Sequence, residues 1–416
     1  MQRLSLPILH ESCSLDWYCS GATHGLERRC SDRDPSYLVP MVASMTDELH
    51  VEGSATVYRL YDVGYSIVLD RAAQLLGDTT RGRVRPSRGE ARAIEIRNPP
   101  LFVSLGPVDV VVGGATRPAT LSANLFDFGV CSLQLRIAAP SAVAWTTFSE
   151  FGSAVGTSSD IGTVFERELR MLLDRVTLAI ERPGVAPLWE EYIVFRIDRL
   201  ETLGGTAPAT DRLTDERLVP LLLGERRPLS AAARRELVPH RFSYYDDDLT
   251  VLTWDNALVV EPRADDRDVE YVLEFANAQL LELRMYDLQL DTELPALYDR
   301  VATARARRRP RLSGPFRRVL SDLQTRVADI TETVERVENA LKVTNDVYLA
   351  RIYAAALELF REQAWRRGIE RKLRILRETY AMLNSEAQAA RAELLEIAIV
   401  LLIVAELVLA VARHGA

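Results

Sequence analysis

The order of apolar and polar positions divides the chain into two regimes. Up to about residue 263 the apolar residues fall into short runs and alternations, the period of strands. A β-rich run over 55–69 is followed by a helix over about Leu69–Leu76 that ends at Gly77. Leu101–Leu105 and Val108–Val112 read as two short buried strands split by Gly106-Pro107, with a turn at Gly113-Gly114. Residues 121–137 read as a strand pair or one bent strand. Over Val164–Ile180, Phe165, Leu169, Leu172, Leu173, Val176 and Ile180 repeat at helical spacing. Trp189–Ile197 reads as another strand and Leu218–Leu223 as a short apolar element. Runs over 249–254 and 257–260 flank Asp255-Asn256, which is hairpin-turn chemistry.

From Asp268 the period becomes helical. Val269, Val272, Leu273, Ala276, Leu280, Leu283 and Tyr286 line one face of a first helix, which runs to about Tyr298. Leu320, Leu323, Val327, Ile330, Val334, Val337 and Leu341 repeat in steps of three and four, a heptad seam. A second such seam holds Ile369, Leu373, Leu376, Tyr380, Leu383, Ala387, Ala390 and Leu394, and it continues in phase to Ile397. Such seams predict helix packing, within one chain or between chains.

Residues 394–412 form the densest apolar run. As a helix it would be roughly 28 Å long, which predicts a C-terminal transmembrane anchor. Glu396 would sit near the interface and Glu406 deeper, where a charge costs about 2.5–3.5 kcal/mol. Both suit contact with another subunit, so a membrane-bound homo-oligomer is expected. Basic residues between Arg361 and Arg377 outnumber Arg413 beyond the run, which predicts that the bulk of the chain faces the cytoplasm.

The expected class is therefore α+β. An aperiodic stretch over 1–50 reads as a disordered leader, or as a start misassigned upstream of Met41 or Met45. A mixed α/β domain over 51–263 precedes a helical hairpin or coiled coil over 268–393 and one transmembrane helix over 394–412.

The net charge of −8 excludes a globally basic nucleic-acid binder. It leaves room for a local patch: Arg305, Arg307, Arg308, Arg309 and Arg311 form a loop suited to anionic lipid head groups or RNA phosphates. Of four cysteines, Cys13, Cys19 and Cys30 lie in the leader without zinc-knuckle spacing. Cys131 reads as a small buried hydrophobe, and the pattern suits a non-oxidising compartment. His240 has no visible catalytic partner. Asp246-Asp247-Asp248 reads as a solvated loop, since three adjacent acids cannot all face one ion in an extended chain. No phosphate-binding loop, dinucleotide fingerprint or nucleophile elbow is present in the sequence. No enzyme activity, cofactor, metal or small-molecule substrate is expected.

Four stretches together resemble the required-for-meiotic-nuclear-division family. They are Thr56-Val57-Tyr58 with the following helix, Leu125–Val130, Leu273–Glu282, and Leu395–Glu406 with both of its glutamates. The resemblance implies a membrane-anchored, oligomeric protein without known catalytic residues. Mitochondrial relatives support organellar translation at the inner membrane. This chain lacks a presequence and has a longer connection over 181–240, which points to a bacterial inner membrane instead. The functional expectation is a non-enzymatic membrane-anchored scaffold, or a membrane anchor that binds RNA or anionic lipid through the arginine loop.

Overall fold

A ten-stranded sheet carries helices on both of its faces. The computed structural model describes residues 48–414, apart from 78–79, 84–93, 97, 203–208, 239, 264, 307–320 and 322–346, though 324–325, 328 and 341–343 within that last stretch are described. Residues 1–47 lie outside the described residues, and so does most of the first heptad seam, Leu320–Leu341.

The centre of the sheet is β1 (Leu49–Asp62), which pairs antiparallel with β10 (Trp189–Thr202) on one side and β7 (Val130–Ala138) on the other. Beyond β7 lie β6 (Ala115–Leu125), β5 (Leu101–Val112) and β3 (Thr80–Arg83). Beyond β10 lie β13 (Asn256–Val260), β12 (Leu249–Leu252) and β11 (His240–Phe242). The β10–β13 pair is parallel. The remaining pairs of this sheet are antiparallel, including that of the short β8 (Val143–Ala144) with β1.

Strands buried on both faces read as nearly unbroken apolar runs. Their alternate side chains enter two separate cores. Ala55 and Val57 of β1, Phe195 and Ile197 of β10, and Leu258 and Val260 of β13 point to one. Tyr58 and Leu60, Tyr192 and Val194, and Ala257 and Val259 point to the other. The first core is closed by α1 (Leu69–Leu76), α2 (Trp145–Gly156), α3 (Ser159–Val176) and α4 (Asp215–Leu223). The second is closed by α6 (Asp268–Ala306), α7 (Val347–Leu359) and α8 (Glu362–His414). A short α5 (Ala231–Leu237) lies on the connection before β11.

Residues 101–112 are one strand, not the two expected. Gly106 makes a bulge against β6, and Pro107 pairs with Thr120. Among the described residues β3 pairs only with Leu101–Val103, so no described strand on that side requires an N–H from Pro107. The stretch over 121–137 is a strand pair. Its turn holds Phe126 and Phe128 beneath α6, with ring centroids 6.0 and 6.1 Å from Phe275. Gly129 closes that turn at φ +99, and a Cβ there would lie 1.9 Å from the carbonyl oxygen of Gly64. Gly129→Ala should therefore lower the unfolding free energy by roughly 1–3 kcal/mol. Urea denaturation checks this, and an unchanged midpoint would contradict it.

The helical region is not a hairpin standing apart from the sheet. Residues 268–281 of α6 are buried almost all round, polar residues included. One face meets the sheet, and α7 and α8 pack on others. Lys372 donates to Asp287 at 2.6 Å and pairs with Asp291, while Arg284 lies over Trp365. Partner numbers differ by 81 in the outer pairs (365 against 284, 372 against 291), so α6 and α8 run in the same direction.

Among the described residues no helix is long and apolar enough to cross a membrane. That overturns the anchor expected over 394–412, and with it the single-pass membrane localisation and its cytoplasm-facing orientation. The physical reason lies in the two acids. The charge-free run between Glu396 and Glu406, Ile397–Ala405, is about 14 Å as a helix, against roughly 30 Å of hydrocarbon.

Candidate functional site

Three features of the fold hold unusual chemistry: the polar groups under α6, a cavity at its middle, and the far end of α8.

Helix α6 buries Glu270, Glu274, Asn277, Gln279 and Glu282. Buried polar groups are costly unless bonded, so their partners are informative. Glu270 receives the guanidinium of Arg196 at 2.9 Å. Glu274 accepts from Asn124 of β6 at 2.7 Å and from Gln134 of β7 at 2.8 Å. Burial pushes its carboxyl up to about 7, against the opposing hydrogen bonds of Ser132, Gln134 and Asn124. Asn277 donates to the carbonyl of Leu273 at 2.8 Å, Gln279 bonds Tyr353 of α7, and Glu282 bonds Tyr286. Glu270, Glu274 and Gln279 fix the rotation of α6 against the sheet and α7, while Asn277 and Glu282 bond within α6 itself. Cys131, in the first core on the opposite face of the sheet, is fully buried, and burial raises its thiol to about 12.

A cavity of about 580 Å³ opens beside Asp62, Tyr65, Arg182, Glu282, Tyr286 and Glu293. The guanidinium of Arg182 lies 4.6 Å from the ring of Tyr65. Burial raises the Asp62 carboxyl to about 6, although it accepts from the Gly64 N–H at 3.2 Å. No histidine or cysteine lines the cavity. Among the described residues no cluster could hold a metal ion.

Other expected site residues are placed as follows. His240 stacks on Phe242 within β11. Asp248 is buried and accepts from the backbone N–H groups of Tyr244 at 2.7 Å and Tyr245 at 3.1 Å, which gives it a turn-forming role. Arg305 belongs to the last turn of α6, while Arg307, Arg308, Arg309 and Arg311 lie outside the described residues. Glu396 and Glu406 are exposed on α8.

The seam of α8 behaves differently along its length. Ile369, Leu373, Leu376 and Leu383 are buried against the body. At the offset of 81, the end of α6 at Ala306 is level with about residue 387. Beyond that level Ile397, Leu401, Val404 and Val408 carry the same heptad phase but stand about half to two-thirds exposed. The exposed stretch from Leu395 to Leu409 is roughly 22 Å long. Sequence spacing located this seam; only the structure showed which of its described residues are buried and which are exposed.

The comparisons give no support to the meiotic-nuclear-division resemblance, which is corrected here. Its carrying stretches were short and mostly apolar, and Leu125–Val130 and Leu273–Glu282 serve the core of this fold. No solved structure matches the chain. Over 198 residues it is 25% identical to Uncharacterized protein MJ0711 of Methanocaldococcus jannaschii, covering 47% of this chain and 59% of that protein. Residues 52–266, from β1 to the threshold of α6, match the model of Uncharacterized protein MJ0711, N-terminal domain, and the chain belongs to that family.

Proposed function

We propose that the protein is a non-enzymatic scaffold that self-associates through the exposed stretch Leu395–Leu409 of α8. The observation that carries this is the continuity of one heptad face. It is buried against the body as far as Leu383 and exposed from Ile397 onward. Eleven large apolar side chains between Leu395 and Leu409 stand in the open. At their exposures they present on the order of 1,000 Å² of apolar surface, more than the ≈800 Å² that each partner contributes to a standard interface. Soluble surfaces rarely keep such a patch uncovered. A second copy presents the same surface, which satisfies the need for a matching apolar partner.

Replacing Leu401 and Val404 together by Asp should weaken association at least a hundredfold, from about 3 kcal/mol of buried, unpaired charge. Sedimentation velocity reads the result. A wild-type chain that sediments as a monomer at all concentrations would remove the proposal.

A further inference from the structure

We infer that the assembly contains four chains, with the exposed ends of α8 side by side and parallel; this rests on the self-association reading above. The steps along the seam fix its heptad letters. A step of three leads from a to d and a step of four from d to a. Leu394, Leu401 and Val408 therefore occupy a, and Ile397, Val404 and Val411 occupy d. The d layers are all β-branched, and two of the three a layers are Leu. In parallel coiled coils, β-branched residues at a with Leu at d favour two strands. The converse choice, Leu at a with Ile at d, favours trimers and tetramers. Local packing geometry underlies the rule, because a β-branched side chain fits only some of the angles at which a knob enters its hole.

Two further observations point beyond a dimer. The positions flanking the seam are apolar too: Ala398, Ala405 and Ala412 at e, and Val400 and Leu407 at g. In a two-stranded coil those positions border water and carry charge. In a four-helix bundle they turn inward, and the small alanines let neighbouring helices approach closely. A helix that is apolar nearly all round calls for several neighbours instead of one. Glu396 at c and Glu406 at f then lie on the outer surface, where a carboxylate stays hydrated. Parallel strands collect all four bodies at one end of the bundle, which gives a cluster of identical domains on a common stalk.

Mass photometry of the full chain tests the inference. The expected particle is about 187 kDa, four times the 46.7 kDa chain. A dimer or trimer would overturn this inference and leave self-association standing; a monomer would overturn both. A second measurement uses a chain in which Leu394 and Leu401 become Ile while Ile397 and Val404 become Leu. Its core volume is nearly conserved, so it keeps its helix, which circular dichroism verifies. The exchanged layers should halve the particle mass to that of a dimer, and an unchanged tetramer would show that these layers do not set the number.

Discussion

Replacing Arg196 by Met should lower the unfolding free energy by about 3–5 kcal/mol, the cost of breaking one side of a buried ion pair. Its side chain is only 1% exposed. The guanidinium donates to Asp198 at 2.7 Å, to Glu270 at 2.9 Å, and to the carbonyls of Asp266, Arg263 and Glu261 at 2.8, 2.8 and 3.2 Å. All five of its N–H bonds are thereby used, which a lysine cannot reproduce. Burial alone would lower its pKa, but Glu270 and Asp198 more than offset this and hold it above the ordinary value. The residue ties the middle of β10 to the connection after β13 and to the first turn of α6. Methionine fills most of the space but removes a donor from three carbonyls and leaves the Glu270 carboxylate only the Arg267 guanidinium at 3.1 Å. Replacing Glu270 by Leu in the same chain should recover a large part of the loss. Urea denaturation of both single variants and the double variant reads this. A loss below about 1 kcal/mol for Arg196→Met, or strict additivity, would show that the pair is not an energetic unit.

The second large effect is a pH dependence set by Glu274. Its carboxyl is raised from 4.5 to about 7 in the folded protein, chiefly by burial. The folded state thus holds the proton more tightly than the unfolded chain does. Below about pH 4.5 the group is neutral in both states and costs nothing. As the pH rises from there, stability falls, and the full deficit is present above about pH 7. At 1.36 kcal/mol per unit the deficit is about 3 kcal/mol. Glu274→Gln cannot ionise and removes this slope. The stability of the variant relative to the wild type should therefore improve by about 3 kcal/mol between pH 4 and pH 8. Two curves that run parallel over that range would rule out Glu274 as the titrating group.

Much of the sheet was legible because strand periodicity is local. The helix over Leu69–Leu76, the turn at Gly113-Gly114, and the hairpin around Asp255 all follow from neighbouring residues. Pro107 misled because its strand continues through a bulge at Gly106 that is set by pairing with β6, which adjacent sequence does not encode. The polar residues of α6 were left unplaced, because only its apolar face has a periodic signal. Their partners Asn124, Gln134 and Arg196 lie 74 to 150 residues away, beyond any periodic signal. The transmembrane reading failed differently: the apolar content of 394–412 was weighed as one sum, when the spacing of Glu396 and Glu406 decides the matter. The seam itself was readable, since heptad steps are local. Its division into a buried part and an exposed part was not, because that depends on where another helix ends.

The shared direction of α6 and α8 also bears on how the molecule folds. Antiparallel helices can zip together from a short turn. Parallel ones cannot, because the chain must first travel back along α6 from Ala306 to about residue 281, the level at which α8 begins, roughly 38 Å. Bringing Lys372 to Asp291 closes a segment of 81 residues. The chain-length part of that closure is roughly 4 kcal/mol of entropy, against little more than 1 kcal/mol for a five-residue connection. Docking of α8 is thus a late, nonlocal step, paid for by contacts with an α6 already laid on the sheet. Its first four turns also bear on the middle of α6, which carries Arg284 and Asp287, so the exposed seam is aimed only once the body beneath it has formed.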